Sequence, residues 1–209
     1  MIVKAKNNKI PDVAQVHGFA SRAAWATWLE QYHRKSPGLW LRLAKKGSGL
    51  KSVSYPEAVE VALCYGWIDS QKQSETGKTW LQKFVPRSDH SVWSKINRQK
   101  ALALIKSGKM KPAGRKAIER AKGSGHWERA YDSPSRALVP SDLQAALNAN
   151  VRAQAFFTEL DGANRYAVLF RIQTAKKPET RARKIREFVE MLEQNQTIHP
   201  LRKPRRSSG

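Results

Sequence analysis

Cysteine is almost absent from this chain. Cys64 stands alone among 209 residues, so neither an intramolecular disulfide nor a thiolate metal cage can form. It follows Ala62 and Leu63 in an apolar run, which marks it as a buried, inert thiol rather than a nucleophile. The five histidines (His17, His33, His90, His126 and His199) never fall at an HxxxH or HExxH spacing. No metal or other cofactor is therefore expected. There is no GxSxG, no Walker-type loop and no GxGxxG, and Gly47–Gly49 is too short to cradle a phosphate. No run approaches the roughly 18–20 apolar residues of a membrane-spanning helix. The three lysines of the first ten residues precede no apolar signal-peptide core, so the cytoplasm is the expected compartment.

Acidic residues are the last scarcity: 17 Asp+Glu face 39 Lys+Arg, a formal net charge of +22. Charge of that size repels itself and opposes compaction, so it points to an anionic partner or environment. With 40% hydrophobic and 27% charged residues the chain can still bury a core. Nucleic acid leads the expected partners, followed by an anionic lipid surface or an acidic protein. A basic surface with no specific partner is the plainer alternative, and the oligomeric state is left open.

The expected fold class is α+β, a small antiparallel sheet of about three strands covered by helices and followed by an all-helical C-terminal module. The reading divides the chain into a loose 1–18, an α+β domain over 19–132, a linker at 133–140, a helical module over 141–196 packed on that domain, and a disordered basic tail at 197–209. Ser21 caps a helix whose Trp25, Trp28, Leu29 and Tyr32 form one apolar stripe. Ser54, Pro56 and Glu57 mark a second helix start, and Gly66 a helix end. Residues 39–45, 67–73 and 79–85 read as strands, the last two as a hairpin that places Trp67 opposite Trp80. Beyond Ser91 the pattern is helical. Ser141 and Asn150 read as helix starts, and Pro178 opens a final helix with Ile185, Phe188, Val189 and Leu192 at core spacing.

The chemistry concentrates in three places. Residues 81–130 hold thirteen basic residues against Asp89, Glu119 and Glu128. There Lys95, Arg98, Gln99 and Lys106 share one helical arc, a phosphate-contacting face or an ordinary solvated one. Trp93, beside Arg87, Ser94, Lys95, Asn97 and Arg98, suits base stacking, although core packing is the commoner role for a tryptophan. The final helix carries Arg181, Arg183, Lys184 and Arg186 in its N-terminal half and Glu187, Glu190 and Glu193 after them, against the preference of the helix dipole. Either an external phosphate or an internal carboxylate such as Asp161 or Asp69 would account for that order. Finally, Trp67 and Ile68 lead into Asp69, Ser70, Gln71 and Lys72, a polar run at the edge of apolar sequence. Asp69 there suits either acid–base work or a buried ion pair with an arginine, the latter favoured.

Several stretches together resemble the YdeI/OmpD-associated (OmdA-type, bacteriocin-protection) family. They are Tyr55–Asp69, Phe84–Arg87, Ser91–Arg98 and Gly108–Gly114, and toward the C-terminus Asp142–Leu147, Asn164–Tyr166 and Thr174–Ile185. The resemblance spans roughly residues 20–196 and implies a role in envelope or antimicrobial-peptide stress, with no agreed reaction. A pocket shared by that family would be lined from Gly66–Asp69, Pro86–Arg87, Trp93–Arg98 and Thr180–Arg183; the ligand- or anion-binding candidates of the whole chain are Trp67, Asp69, Gln71, Lys72, Arg87, Trp93, Ser94, Lys95, Asn97, Arg98, Arg181 and Arg183. The leading functional expectation is a basic cytoplasmic stress-related protein that contacts nucleic acid. Two others stand beside it: an enzyme or small-ligand binder with an anionic substrate among Trp67, Asp69, Arg87, Trp93 and Arg181, and an interaction protein for acidic partners.

Overall fold

The computed structural model describes residues 15–200; the expected loose start and basic tail fall, over 1–14 and 201–209, outside the described residues. Four strands and eight helices follow in the order β1 (Val16–Gly18), α1 (Arg22–Tyr32), β2 (Leu39–Ala44), α2 (Tyr55–Cys64), β3 (Trp67–Ser74), β4 (Thr79–Pro86), α3 (Lys95–Lys106), α4 (Pro112–Gly123), α5 (Ser141–Asn148), α6 (Val151–Glu159), α7 (Gly162–Gln173) and α8 (Pro178–Glu193). The α+β class with a helical C-terminal part is as expected, but the sheet has four strands, in the order β1-β2-β4-β3. The extra strand, β1, is only three residues long and pairs parallel to β2. Three residues are too few to show an alternation, which is why the sequence pattern hides it.

The chain forms two compact units. The first comprises 15–91 and Gln99–Ser124, the second Val92–Arg98 and 125–200, so the boundary falls one turn into α3. In the first unit α1 and α2 cover one face of the sheet. Trp25 and Leu29, one turn apart on α1, are fully buried, and the Trp25 indole N–H donates to the Ala58 carbonyl of α2 at 3.1 Å. Trp25 lies edge-on to Trp67 and 5.7 Å from the Phe84 ring. Leu39, Leu41 and Leu43 complete that face, since alternate residues of a strand point the same way.

The expected Trp67–Trp80 pair does not form. Trp67 stands opposite Pro86 and Trp80 opposite Ser74, because the turn at 75–78 puts the two tryptophans at opposite ends of the hairpin. A bulge between Asp69 and Lys72 shifts the register and exposes the Gln71 carbonyl to the interior, where the buried Gln82 amide donates to it at 3.0 Å.

Local signals set most helix ends. Ser21, Ser94, Asn150 and Asp161 accept backbone N–H groups of the first turns of α1, α3, α6 and α7. The Glu57 carboxylate accepts both the backbone N–H and the hydroxyl of Ser54. Ser141, read as a cap, is instead the first helical residue, with Pro140 in the cap position.

Gly66 ends the α2 corner with φ +73, and a Cβ there would stand 2.8 Å from the Ala113 carbonyl oxygen of α4. Gly114 is the reciprocal contact: a Cβ on it would meet the Met110 sulfur and the Cys64 carbonyl, and lie 2.7 Å from the Leu63 carbonyl. The corner is also stitched by backbone hydrogen bonds, Lys111 N–H to the Cys64 carbonyl at 3.2 Å and Arg87 N–H to the Gly66 carbonyl at 2.9 Å.

In the second unit Leu143, Leu147, Phe157, Val168, Leu169, Ile172, Ile185 and Leu192 from α5–α8 form one apolar core. The cations at the start of α8, anomalous in sequence, prove to serve the neighbouring helices. Arg181 makes a bidentate contact with Asp142 of α5 (2.6 and 2.9 Å) and donates to the Ile172 carbonyl at 2.9 Å. Lys184 donates to the Arg171 carbonyl at 3.1 Å, and Arg183 pairs with Glu187 one turn on at 2.6 Å. Carbonyls 171 and 172 belong to the last turn of α7, the negative end of its dipole. Arg181 and Lys184 thus oppose the dipole of their own helix and satisfy that of α7. The internal carboxylate is Asp142, not Asp161 or Asp69.

Two predictions follow from these contacts. Gly66→Ala adds a Cβ in the left-handed region against a carbonyl, and should cost the first unit on the order of 2–4 kcal/mol in denaturant titrations. In the second unit, hydrogen bonding to Arg181 holds the Asp142 carboxyl below its ordinary value of 3.8. Burial raises the Asp132 carboxyl, but hydrogen bonds from Lys95 and Gln173 outweigh it and leave that group low as well. Carboxyls depressed in the folded state stabilise it fully above the ordinary value and lose that contribution as pH falls through the folded value. Asp142→Asn should therefore lower stability at pH 7 by about 1 kcal/mol or less, given partial exposure, and make little difference near pH 2.

Candidate functional site

The α2–β3 corner does more than join two elements. Around it, Tyr65 and Gly66 from the end of α2, Trp67 from β3, Pro86 and Arg87 from the end of β4, Pro112 and Ala113 from α4, and His33 and Arg34 from the end of α1 surround a recess of about 220 Å3. An adjoining recess of about 340 Å3 shares His33, Arg34, Tyr65, Pro112 and Ala113 and extends to Glu30 and Lys111. Four segments far apart in sequence meet here because the two glycines admit α4 and because the hairpin returns β4 beside β3. His33 is placed by two bonds: its Nδ1 contacts the Leu29 carbonyl at 2.7 Å, and its own carbonyl accepts the Trp67 indole N–H at 3.2 Å.

The walls are cationic. Arg120 is engaged by Asp89 at 3.0 Å and by the Arg87 carbonyl at 3.3 Å, and Lys111 faces Glu30 at 3.5 Å. Arg34 and Lys116 form no ion pair among the described residues. Proline at the first position of α4 and the lack of an acid in its first turn leave the positive end of that helix uncompensated. Burial raises the Tyr65 phenol, aided by nearby Glu30 and Cys64, so at neutral pH it is a hydrogen-bond donor. Burial likewise raises the Cys64 thiol, in keeping with an inert cysteine. Of the lining residues Glu30 is the one carboxylate, and Lys111 faces it. Such a site can hold an anion.

Only part of the sequence-derived lining is here. Trp67 and Arg87 border the cleft, both almost wholly buried. Asp69 lies one pleat along β3, where it accepts the Tyr55 hydroxyl at 2.6 Å rather than an arginine. Gln71 and Lys72 are exposed; Gln71 supplies the bulge carbonyl and the Lys72 ammonium sits 4.6 Å above the Trp80 ring. Trp93 is 2% exposed and packs edge-on against Trp127 within the second unit, so it offers no face for stacking. Ser94 caps α3 through the Asn97 N–H. Lys95 is paired with Asp132 at 2.8 Å, and Arg98 donates to the Trp127 carbonyl at 3.0 Å. Arg181 and Arg183 are held by Asp142 and Glu187. Trp93 and Arg181 are each committed to partners within the second unit. Sequence reasoning missed His33, Arg34, Tyr65 and Lys116 as lining. Gly66 and the Gly108–Gly114 stretch were the available signals, since paired glycines often mark close backbone approach.

Residues 17–117 match a family model described as a domain of unknown function (DUF8412). Residues 137–195 match the model described as Bacteriocin-protection, YdeI or OmpD-Associated. No curated protein and no solved structure matches the chain. The match over 137–195 overturns the nucleic-acid expectation, because its description points toward bacteriocin protection and an envelope association. Part of the charge behind that expectation is also engaged within the chain. Lys95, Arg98, Arg181 and Arg183, offered for phosphates, are engaged with carboxylates or carbonyls of the chain itself. Over residues 137–195, a part of the chain, the sequence is thus similar to the Bacteriocin-protection, YdeI or OmpD-Associated (OmdA) family.

Proposed function

We propose that the chain is a non-catalytic binding protein of the bacteriocin-protection type, whose first unit grips an anionic group of an acidic envelope partner in the cationic cleft at the α2–β3 corner. The match of residues 137–195 to the bacteriocin-protection, OmpD-associated model carries this reading. The cleft adds the chemistry. Arg34 and Lys116 stand beside the start of α4 without a carboxylate of their own, the arrangement that favours a carboxylate or phosphate from outside.

The test is survival of a bacterial strain under bacteriocin challenge with the chain deleted, restored, or restored as Arg34→Glu/Lys116→Glu. Deletion should raise sensitivity and the native chain should reverse it. The double variant, with an unchanged circular dichroism spectrum, should fail to do so. Equal survival with and without the chain would sink the protective role, and full rescue by the double variant would remove the cleft from it.

A further inference from the structure

The cleft lies where β3 begins and β4 ends; the other end of that hairpin, also in the first unit, has a different chemistry. Two chain reversals meet there. Ala44 stands opposite Thr79, and the Lys45 N–H donates to the Lys78 carbonyl at 2.8 Å, so the loop after β2 leaves beside the turn at 75–78. The Ala44 N–H donates to the Ser52 hydroxyl oxygen at 3.3 Å and closes the base of that loop. Inside it the Ser48 N–H reaches the Lys45 carbonyl at 3.1 Å, and Gly47 and Gly49 take φ +77 and +74. Leu50 follows, an apolar side chain 51% exposed and flanked by Lys46 and Lys51 on the same loop. The loop then climbs from the sheet to α2, and aromatic rings stand on that side. Trp80, half-buried, is opposite Leu43 of the helix-covered face and lies 5.7 Å from the ring of Tyr55, the first residue of α2 and 38% exposed.

The charge at this end is positive and open. Lys46, Lys51, Lys72 and Lys78 are all exposed and form no ion pair among the described residues. The acids near them already have partners: Glu75 holds Arg42 at 2.8 Å and accepts the Thr79 hydroxyl, Glu57 caps α2 through Ser54, and Asp69 accepts the Tyr55 hydroxyl. An exposed leucine, rings with a polar tip and lysines on long apolar stems are the groups that settle at a lipid–water boundary. The apolar parts meet acyl chains there while the ammonium groups stay with headgroup phosphates. We propose that this end of the first unit docks on an anionic bilayer surface, with Leu50 entering the interface and Lys46, Lys51 and Lys78 meeting the phosphates. One apolar side chain and a few lysines give reversible attachment rather than a permanent anchor. The inference does not rest on the anion-gripping role of the cleft, since none of these residues lines it.

The experiment floats the full chain with vesicles at about 0.15 M salt, comparing phosphatidylcholine alone with phosphatidylcholine containing about a third phosphatidylglycerol. The mixed vesicles should bind at least about tenfold more tightly. Leu50→Ser keeps every charge and should weaken that binding about tenfold. Lys46→Gln/Lys51→Gln/Lys78→Gln should weaken it about a hundredfold, at roughly fivefold per lysine. Arg152→Gln/Lys176→Gln/Lys177→Gln, the same loss of charge placed in the second unit, should cost far less. A polarity-sensitive dye on Leu50→Cys reads the orientation directly, because Cys64 is buried and stays unlabelled. Its emission should shift to the blue on the mixed vesicles, whereas the same dye on Leu138→Cys, at a second-unit residue 84% exposed, should not shift. Native binding by Leu50→Ser, equal losses in the two triple variants, equal blue shifts at the two dye positions, or no preference for phosphatidylglycerol would each overturn the proposal. Equal losses would mean diffuse attraction of the whole basic surface.

Discussion

Helix α4 reaches the α2–β3 corner because two glycines leave out the atoms that would hold it away. Gly66 and Gly114 present bare backbone to each other's helix, and carbonyls of Leu63, Cys64 and Ala113 fill the space that Cβ atoms would claim. The Lys111 and Arg87 amides then find their acceptors on the same corner. One close approach therefore fixes where α2 stops, where β3 enters the core with Trp67, where β4 ends, and where the positive end of α4 points. The cationic cleft is a by-product of that geometry, which is why residues from four distant stretches line it.

The second organising effect is that the chain spends much of its charge on itself. Arginine and lysine at the start of α8 close the exposed carbonyl end of α7 and tie α5 to it through Asp142. Lys95 and Arg98 hold the 127–132 segment in the same way. A guanidinium suits such work because it can fork onto a carboxylate and reach a carbonyl at once. Summed charge overstates the surface open to an anion, because cations such as Lys95, Arg98, Arg181 and Arg183 are already engaged within the chain.

Legibility followed the range of the interaction. The helix over Pro178–Glu193, its stripe of Ile185, Phe188, Val189 and Leu192, the Ser54–Glu57 start and the Gly66 stop were all readable, since each depends on neighbours within a few residues. So was the β3–β4 hairpin, though not its register, because the bulge after Asp69 is set by contacts across the sheet. Strand β1 was invisible for lack of length. At the cleft, Trp67 and Arg87 were marked by their sequence context, whereas Arg34 and Lys116 look like any exposed cation until the fold places them beside α4. Trp93 takes the commoner role of a tryptophan, buried in packing, while its basic sequence neighbours Lys95 and Arg98 reach Asp132 and the Trp127 carbonyl.

By itself the sequence determined the α+β class, most helix boundaries, the inert single cysteine and the large excess of positive charge, together with motifs of the OmdA kind over its C-terminal part. Those follow from composition and from forces that act within one or two turns of chain. Only the tertiary structure decided which cations face an acid or a carbonyl and which face open space. Salt bridges join residues as far apart as Glu30 and Lys111, and a charge on a sequence carries no mark of whether its partner lies across the fold or outside it.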